Sequence, residues 1–197
     1  MNITDFIKFN LFPPKKHNEI ARVMTEKIAK QAFNLFNNKD FRQLNNFERI
    51  DQVEQDRVFN EIVVSGIVLA ILIFEKLNDK SQNKKYNQFY LEMQMELESS
   101  YGNWLRDLGS QEEHASLFKD LIKMRLKEYQ KNYHKFQKEV LKHVNTKFPY
   151  LFIVAIGGST HIARSNSKLA EDILKPFTKW CTLLTDELLQ VLQKLMK

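Results

Sequence analysis

Glu54, Arg57 and Glu61 stand three and four residues apart, so on a helix one guanidinium can lie between two carboxylates. Such an arrangement could hold a carboxylate charged for acid–base chemistry. It could equally be a structural ion network beside a core, where an unpaired charge is expensive. Further along, Gly157-Gly158-Ser159-Thr160-His161 follows an apolar run. A helix starting near Ser159 would offer free N–H groups to an anion, with His161 and Arg164 beside it. The plainer reading is a helix break with a capping hydroxyl. It is not a P-loop, since the lysine is missing and the glycine spacing is wrong. Glu54, Arg57, Glu61, Ser159, His161 and Arg164 are therefore the candidate ligand residues, and no residue is assigned as catalytic.

Metal and nucleophile chemistry find little support. A carboxylate-bridged bundle needs a Glu-x-x-His from each of two helices, and the chain contains none. The nearest approach, Glu139 with His143, is spaced by four and stands alone, so neither a metal nor a cofactor is expected. Cys181 follows Trp180 on a helix whose face is mostly apolar, which suits a buried, inert thiol. Neither a Gly-x-Ser-x-Gly elbow nor a His-Glu-x-x-His zinc motif occurs.

Charge is the other chemical feature. The chain carries 30 Lys and Arg against 24 Asp and Glu, a net charge of +6. The stretch 117–147 has nine basic and three acidic residues, an excess equal to that of the whole chain. Within it Lys127, Lys131, Lys135, Lys138 and Lys142 share one helical face, opposite the apolar stripe Phe118, Ile122, Tyr129, Tyr133, Phe136 and Val140. The face is either solvated or meets phosphates. Lysine in place of arginine argues against bidentate guanine or phosphate recognition, and the aromatic residues lie on the wrong side for base stacking.

These residues need helices to position them. Five Gly and four Pro in 197 residues are too few for the turns of an all-β fold. The expected fold is an all-α bundle of about five or six helices, several long and near antiparallel, around a mostly buried central helix. The domain spans 18–197, after an N-terminal arm at 1–17 that contains Pro13-Pro14. The spacing predicts a first helix from near Asn18 and a second from about Asn46 to Leu77, whose part from Ile62 to Phe74 is apolar on all sides. At 13 residues that apolar part is shorter than the roughly 20 of a membrane span. Gly66 there allows a neighbouring helix to approach closely. A third helix carries the seam Tyr86, Tyr90, Met93, Leu97, Tyr101, Trp104 and Leu108, with Gly109 at its C-terminal end and a capping box at Ser110–Glu113. A fourth runs from Gln111 to about Asn145. Leu151–Ile156 reads better as helix than as a strand without a partner, with a break at Gly157-Gly158. The last helix has Pro176 in its first turn and the seam Phe177, Trp180, Leu184, Leu188, Val191 and Leu195.

Three functional readings follow, and nothing in the sequence assigns a reaction. The first is a non-enzymatic helical interaction protein, self-associating or binding a protein partner through an exposed seam. The second is a nucleic-acid or anionic-surface binder using the lysine face. The third is an enzyme or small-ligand binder, which requires Glu54, Glu61 and His161 to converge on a cavity. A single cysteine and a start without a signal-peptide pattern point to the cytoplasm.

Overall fold

The computed structural model describes residues 17–143, 148–164 and 166–195, so the N-terminal arm as far as residue 16 lies outside the described residues. Among the described residues there are seven helices and no strand: α1 His17–Phe36, α2 Lys39–Leu44, α3 Gln52–Lys80, α4 Lys84–Asp107, α5 Glu112–His143, α6 Tyr150–Ile162 and α7 Ser167–Leu195. The all-α bundle is thus what the chain forms.

Short polar residues set the helix starts by taking backbone donors that lack an intrahelical partner. Asn38 accepts from the Phe41 amide at 3.0 Å, Asp51 from Glu54 at 2.8 Å, Asn83 from Lys85 at 3.0 Å and Asn166 from Leu169 at 3.1 Å. These caps correct two expected boundaries. The second long helix begins at Gln52 rather than Asn46, because Asn46 has a positive φ of 52° and a separate short helix, α2, precedes it. The last helix begins at Ser167, so Pro176 is inside it and not in its first turn. Fully buried Ile173 and Phe177 anchor the chain on both sides of that proline, offsetting the missing N–H donor.

Gly109 ends α4 with φ +93°. Its amide donates to Arg106 at 2.8 Å and that of Ser110 to Leu105 at 3.0 Å, the paired bonds of a Schellman end. Helix α5 then starts at Glu112, one residue after the expected Gln111, and the capping box is not made: the Ser110 amide is taken by Leu105 instead of the Glu113 carboxylate.

Helix α3 is the centre. Every residue from Glu61 to Phe74 is buried, and α1, α4, α5, α6 and α7 all pack against it. By length and composition α3 could cross a membrane, but 83% of its most apolar window is covered by the other helices. A Cβ on Gly66 would sit 2.6 Å from Ile28 and 3.1 Å from Leu184 and Trp180, so α1 and α7 do close on it there. Sequence neighbours run antiparallel: Asn60 meets Tyr101 while Phe74 meets Phe89 and Tyr90. Helices α3 and α5 run in the same direction, Glu61 meeting Arg125 and Glu75 meeting Gln130.

Helix α6 corrects a third expectation. It continues through Gly157-Gly158 to Ile162 without a break. The two glycines are there for space: a Cβ on Gly157 would lie 2.2 Å from the Tyr129 ring, and one on Gly158 2.4 Å from the Phe177 ring.

Candidate functional site

Arg57 projects from the second turn of α3 toward the end of α6. Its Nε and Nη2 donate to Glu54 at 2.9 and 2.7 Å. Nη1 and Nη2 also donate to the carbonyl oxygens of His161 and Ile162, at 2.9 and 2.7 Å. Those carbonyls close α6 and have no partner within the helix, so the guanidinium caps it from outside. Arg164, just beyond the end at φ 48°, donates to Glu54 Oε2, which Arg57 Nε also holds.

A second group lies one turn along α3. Arg125 of α5 donates to both oxygens of Glu61, at 2.7 and 3.2 Å, and more distantly to Glu128 at 3.4 Å. His161 Nε2 donates to Glu128 at 2.9 Å. The groups link α3, α5 and α6 through charge. Glu61 and Arg125 have side chains only 9% and 13% exposed, so the pair is dry enough that each ion needs the other. Burial alone would pull the Arg125 guanidinium down; the hydrogen bond and charge of Glu61 reverse this and hold it above its ordinary value.

The candidate ligand residues are thus partly brought together. Glu54, Arg57, Glu61, His161 and Arg164 belong to this network, but Arg57 does not bridge Glu54 and Glu61; Arg125 takes Glu61. The helix start expected near Ser159 is absent, because Ser159 lies inside α6 and its hydroxyl donates to the Ala155 carbonyl at 2.7 Å. Its amide is therefore no anion site. Nor do the two clefts beside these residues take in Glu54, Glu61 and His161 together. A cleft of about 380 Å³ is lined by Val53, Asp56, Arg57, Asn60, Glu61, Phe118 and Leu121. Ser159 lines a separate cleft of about 310 Å³ with Ile156, Thr160, Ser167, Ala170, Glu171 and Leu174. Among the described residues no group of three His, Cys, Asp or Glu side chains is placed to hold a metal. Cys181 is fully buried, which raises its thiol pKa far above the ordinary value.

Sequence reasoning missed Arg125 and Glu128. A signal existed for the first: Arg125 sits four residues before Tyr129 on the apolar stripe of α5, and a charge there requires a partner.

Hydrogen bonds from Arg57 hold the Glu54 carboxyl below its ordinary value of 4.5, against partial burial, with the charges of Arg57 and Arg164 adding to them. Since the folded-state value is the lower one, this group stabilises the fold fully above the ordinary pKa and loses that contribution as pH falls through the folded value. Urea unfolding between pH 6 and pH 3 is expected to show a shallower loss of stability in Glu54→Gln than in the parent. Equal slopes would assign the acid sensitivity elsewhere.

The lysine face has a different character. Lys127, Lys131, Lys135 and Lys138 are exposed, and none makes an ion pair among the described residues, while the side chain of Lys142 lies outside them. Neighbouring basic residues are engaged: Arg125 is turned inward and Lys123 reaches Glu98 at 4.0 Å. Glu128, next to Lys127 in sequence, is held by Arg125 and His161, while the side chain of Glu139, next to Lys138, lies outside the described residues. Lys135 Nζ lies 4.9 Å from the Phe136 ring centroid.

The two apolar seams, by contrast, are spent internally. Tyr86, Tyr90, Met93, Leu97 and Tyr101 of α4 and Phe177, Trp180, Leu184 and Leu188 of α7 all belong to the core; Leu108 is left exposed. The motive for self-association through those seams is therefore removed. Comparison with known protein families, with curated proteins and with solved structures gives no match.

Proposed function

We propose that this chain is a non-enzymatic, intracellular interaction protein that engages a polyanionic partner through the lysine face of α5. The observation that carries this reading is the line of Lys127, Lys131, Lys135 and Lys138 on one helix, all exposed and without an ion pair among the described residues. Exposed lysines without an ion pair also occur elsewhere, Lys30, Lys39, Lys80 and Lys84 among them, but on separate helices; these four stand together on one. Each phosphate or sulfate they neutralise releases condensed counterions, which makes such binding strong at low salt and steeply dependent on it.

Retention on immobilised heparin tests the reading. Reversing Lys127, Lys131, Lys135 and Lys138 together to Glu is expected to abolish retention at low salt. A control that reverses Lys30, Lys39, Lys80 and Lys84, exposed residues on other helices, changes net charge equally and should retain most of it. Equal loss in both variants would reduce the effect to net charge and overturn the assignment to α5.

A further inference from the structure

Resting on that reading, we infer that the polyanion is the phosphate backbone of a nucleic-acid duplex, bound without regard to base sequence. The alternative partner for an exposed basic helix is an anionic bilayer. An interfacial helix holds its lysines at the headgroups by sinking an apolar face below them. In α5 that face is already in use: Ile122, Tyr129 and Tyr133 are buried in the core, and Tyr129 is locked against Gly157. What the helix leaves exposed, Leu117, Met124 and Phe136, is scattered along its length and makes no continuous apolar stripe to sink into a bilayer.

The shape of the face also selects among phosphates. The four lysines lie along about 16 Å of helix at a rise of about 1.5 Å per residue. They form a line along the helix axis, and neither cleft described above includes any of them. A line of charges suits a rod-like ligand better than a small phosphate, which needs donors converging on one point. Duplex and single strand then separate on two grounds. A duplex presents one charge per about 1.7 Å of axis, twice the density of one strand at the same rise. Single-strand binding usually draws on a row of aromatic platforms, and here Tyr129 and Tyr133 are inside, leaving the exposed Phe136 as a single ring beside the Lys135 ammonium. Lysine, unlike arginine, reads no base edge in bidentate fashion, so sequence indifference follows from the same side chains.

Fluorescence anisotropy with two labelled 20-base-pair duplexes of unrelated sequence tests this, alongside their single strands and vesicles of phosphatidylserine and phosphatidylcholine. The two duplexes are expected to bind alike. With four contacts, log affinity should fall with log salt at a slope of about −3.6, or about 150-fold between 50 and 200 mM. Lys135→Gln should lower that slope by about 0.9. Single strands binding as tightly as duplexes, or strong discrimination between the two duplexes, would overturn the inference. Vesicle binding without duplex binding would overturn it while leaving the polyanion reading intact. Failure to bind duplex, vesicle and heparin alike at 50 mM salt would overturn both.

Discussion

Glu61→Ala is expected to destabilise the fold by about 3–5 kcal/mol, because it leaves a charged guanidinium in the interior without its main partner. Arg125 would keep only Glu128, at 3.4 Å, and that carboxylate is more exposed and already shared with His161. At the usual conversion of roughly 2–4 °C per kcal/mol for a chain of this size, thermal unfolding should move down by about 10 °C. The informative comparison is the double replacement Glu61→Leu with Arg125→Leu. Removing both charges also removes their desolvation, so the double variant should recover most of the loss, and replacements of this kind are often neutral or better. A double variant as unstable as Glu61→Ala would show that the position needs polarity itself and not charge balance.

Gly157→Ala should destabilise although it lies in the middle of a helix. Alanine normally gains about 1 kcal/mol over glycine in a helix interior, so a reading from helix propensity alone has the opposite sign. Here the new methyl would lie 2.2 Å from Cε1 of Tyr129, a fully buried ring with no free volume to retreat into. Overpacking of this kind costs about 1–3 kcal/mol and sometimes more, which outweighs the propensity gain. Urea unfolding of Gly157→Ala, and of Gly157→Ala combined with Tyr129→Leu, decides the point. The smaller side chain should restore part of the stability lost in the glycine variant. If Gly157→Ala alone is stabilised, α5 and α6 are not packed as closely as described.

The glycine pair also shows where sequence stops being legible. Periodicity made the fold class readable, and with it the buried run Ile62–Phe74, the end of α4 at Gly109 and the helical nature of Leu151–Ile156, because each depends on local spacing or a single special residue. Gly157-Gly158 was read as a break because glycine's local cost is visible in sequence, whereas its use as a groove for Tyr129 and Phe177 depends on two distant helices. Pro176 misled in the same way: its local preference favours a helix start, but the asparagine cap ten residues earlier and the burial of Ile173 and Phe177 decide. For the charged residues, the spacing of Glu54, Arg57 and Glu61 put them on one helix face. It could not show that Arg57 turns to the end of α6 or that Arg125 arrives from α5 to take Glu61. The lysine face was legible as a pattern; that Glu128 is turned away from it toward Arg125 and His161 required the packing of α3, α5 and α6.

The central position of α3 sets a problem of timing during synthesis. Its apolar stretch leaves the ribosome long before its cover: Gly66 is closed over in part by Trp180 and Leu184, more than a hundred residues later. At about 5–20 residues per second the nascent chain carries that stretch uncovered for roughly 6–23 s. For that interval the side later covered by α7 stays open on a helix with the length and hydropathy of a membrane segment. Folding of this bundle is therefore a race between capture of α3 and arrival of α7, and the helices α1 and α4, which emerge earlier and pack on it, are its first shelter.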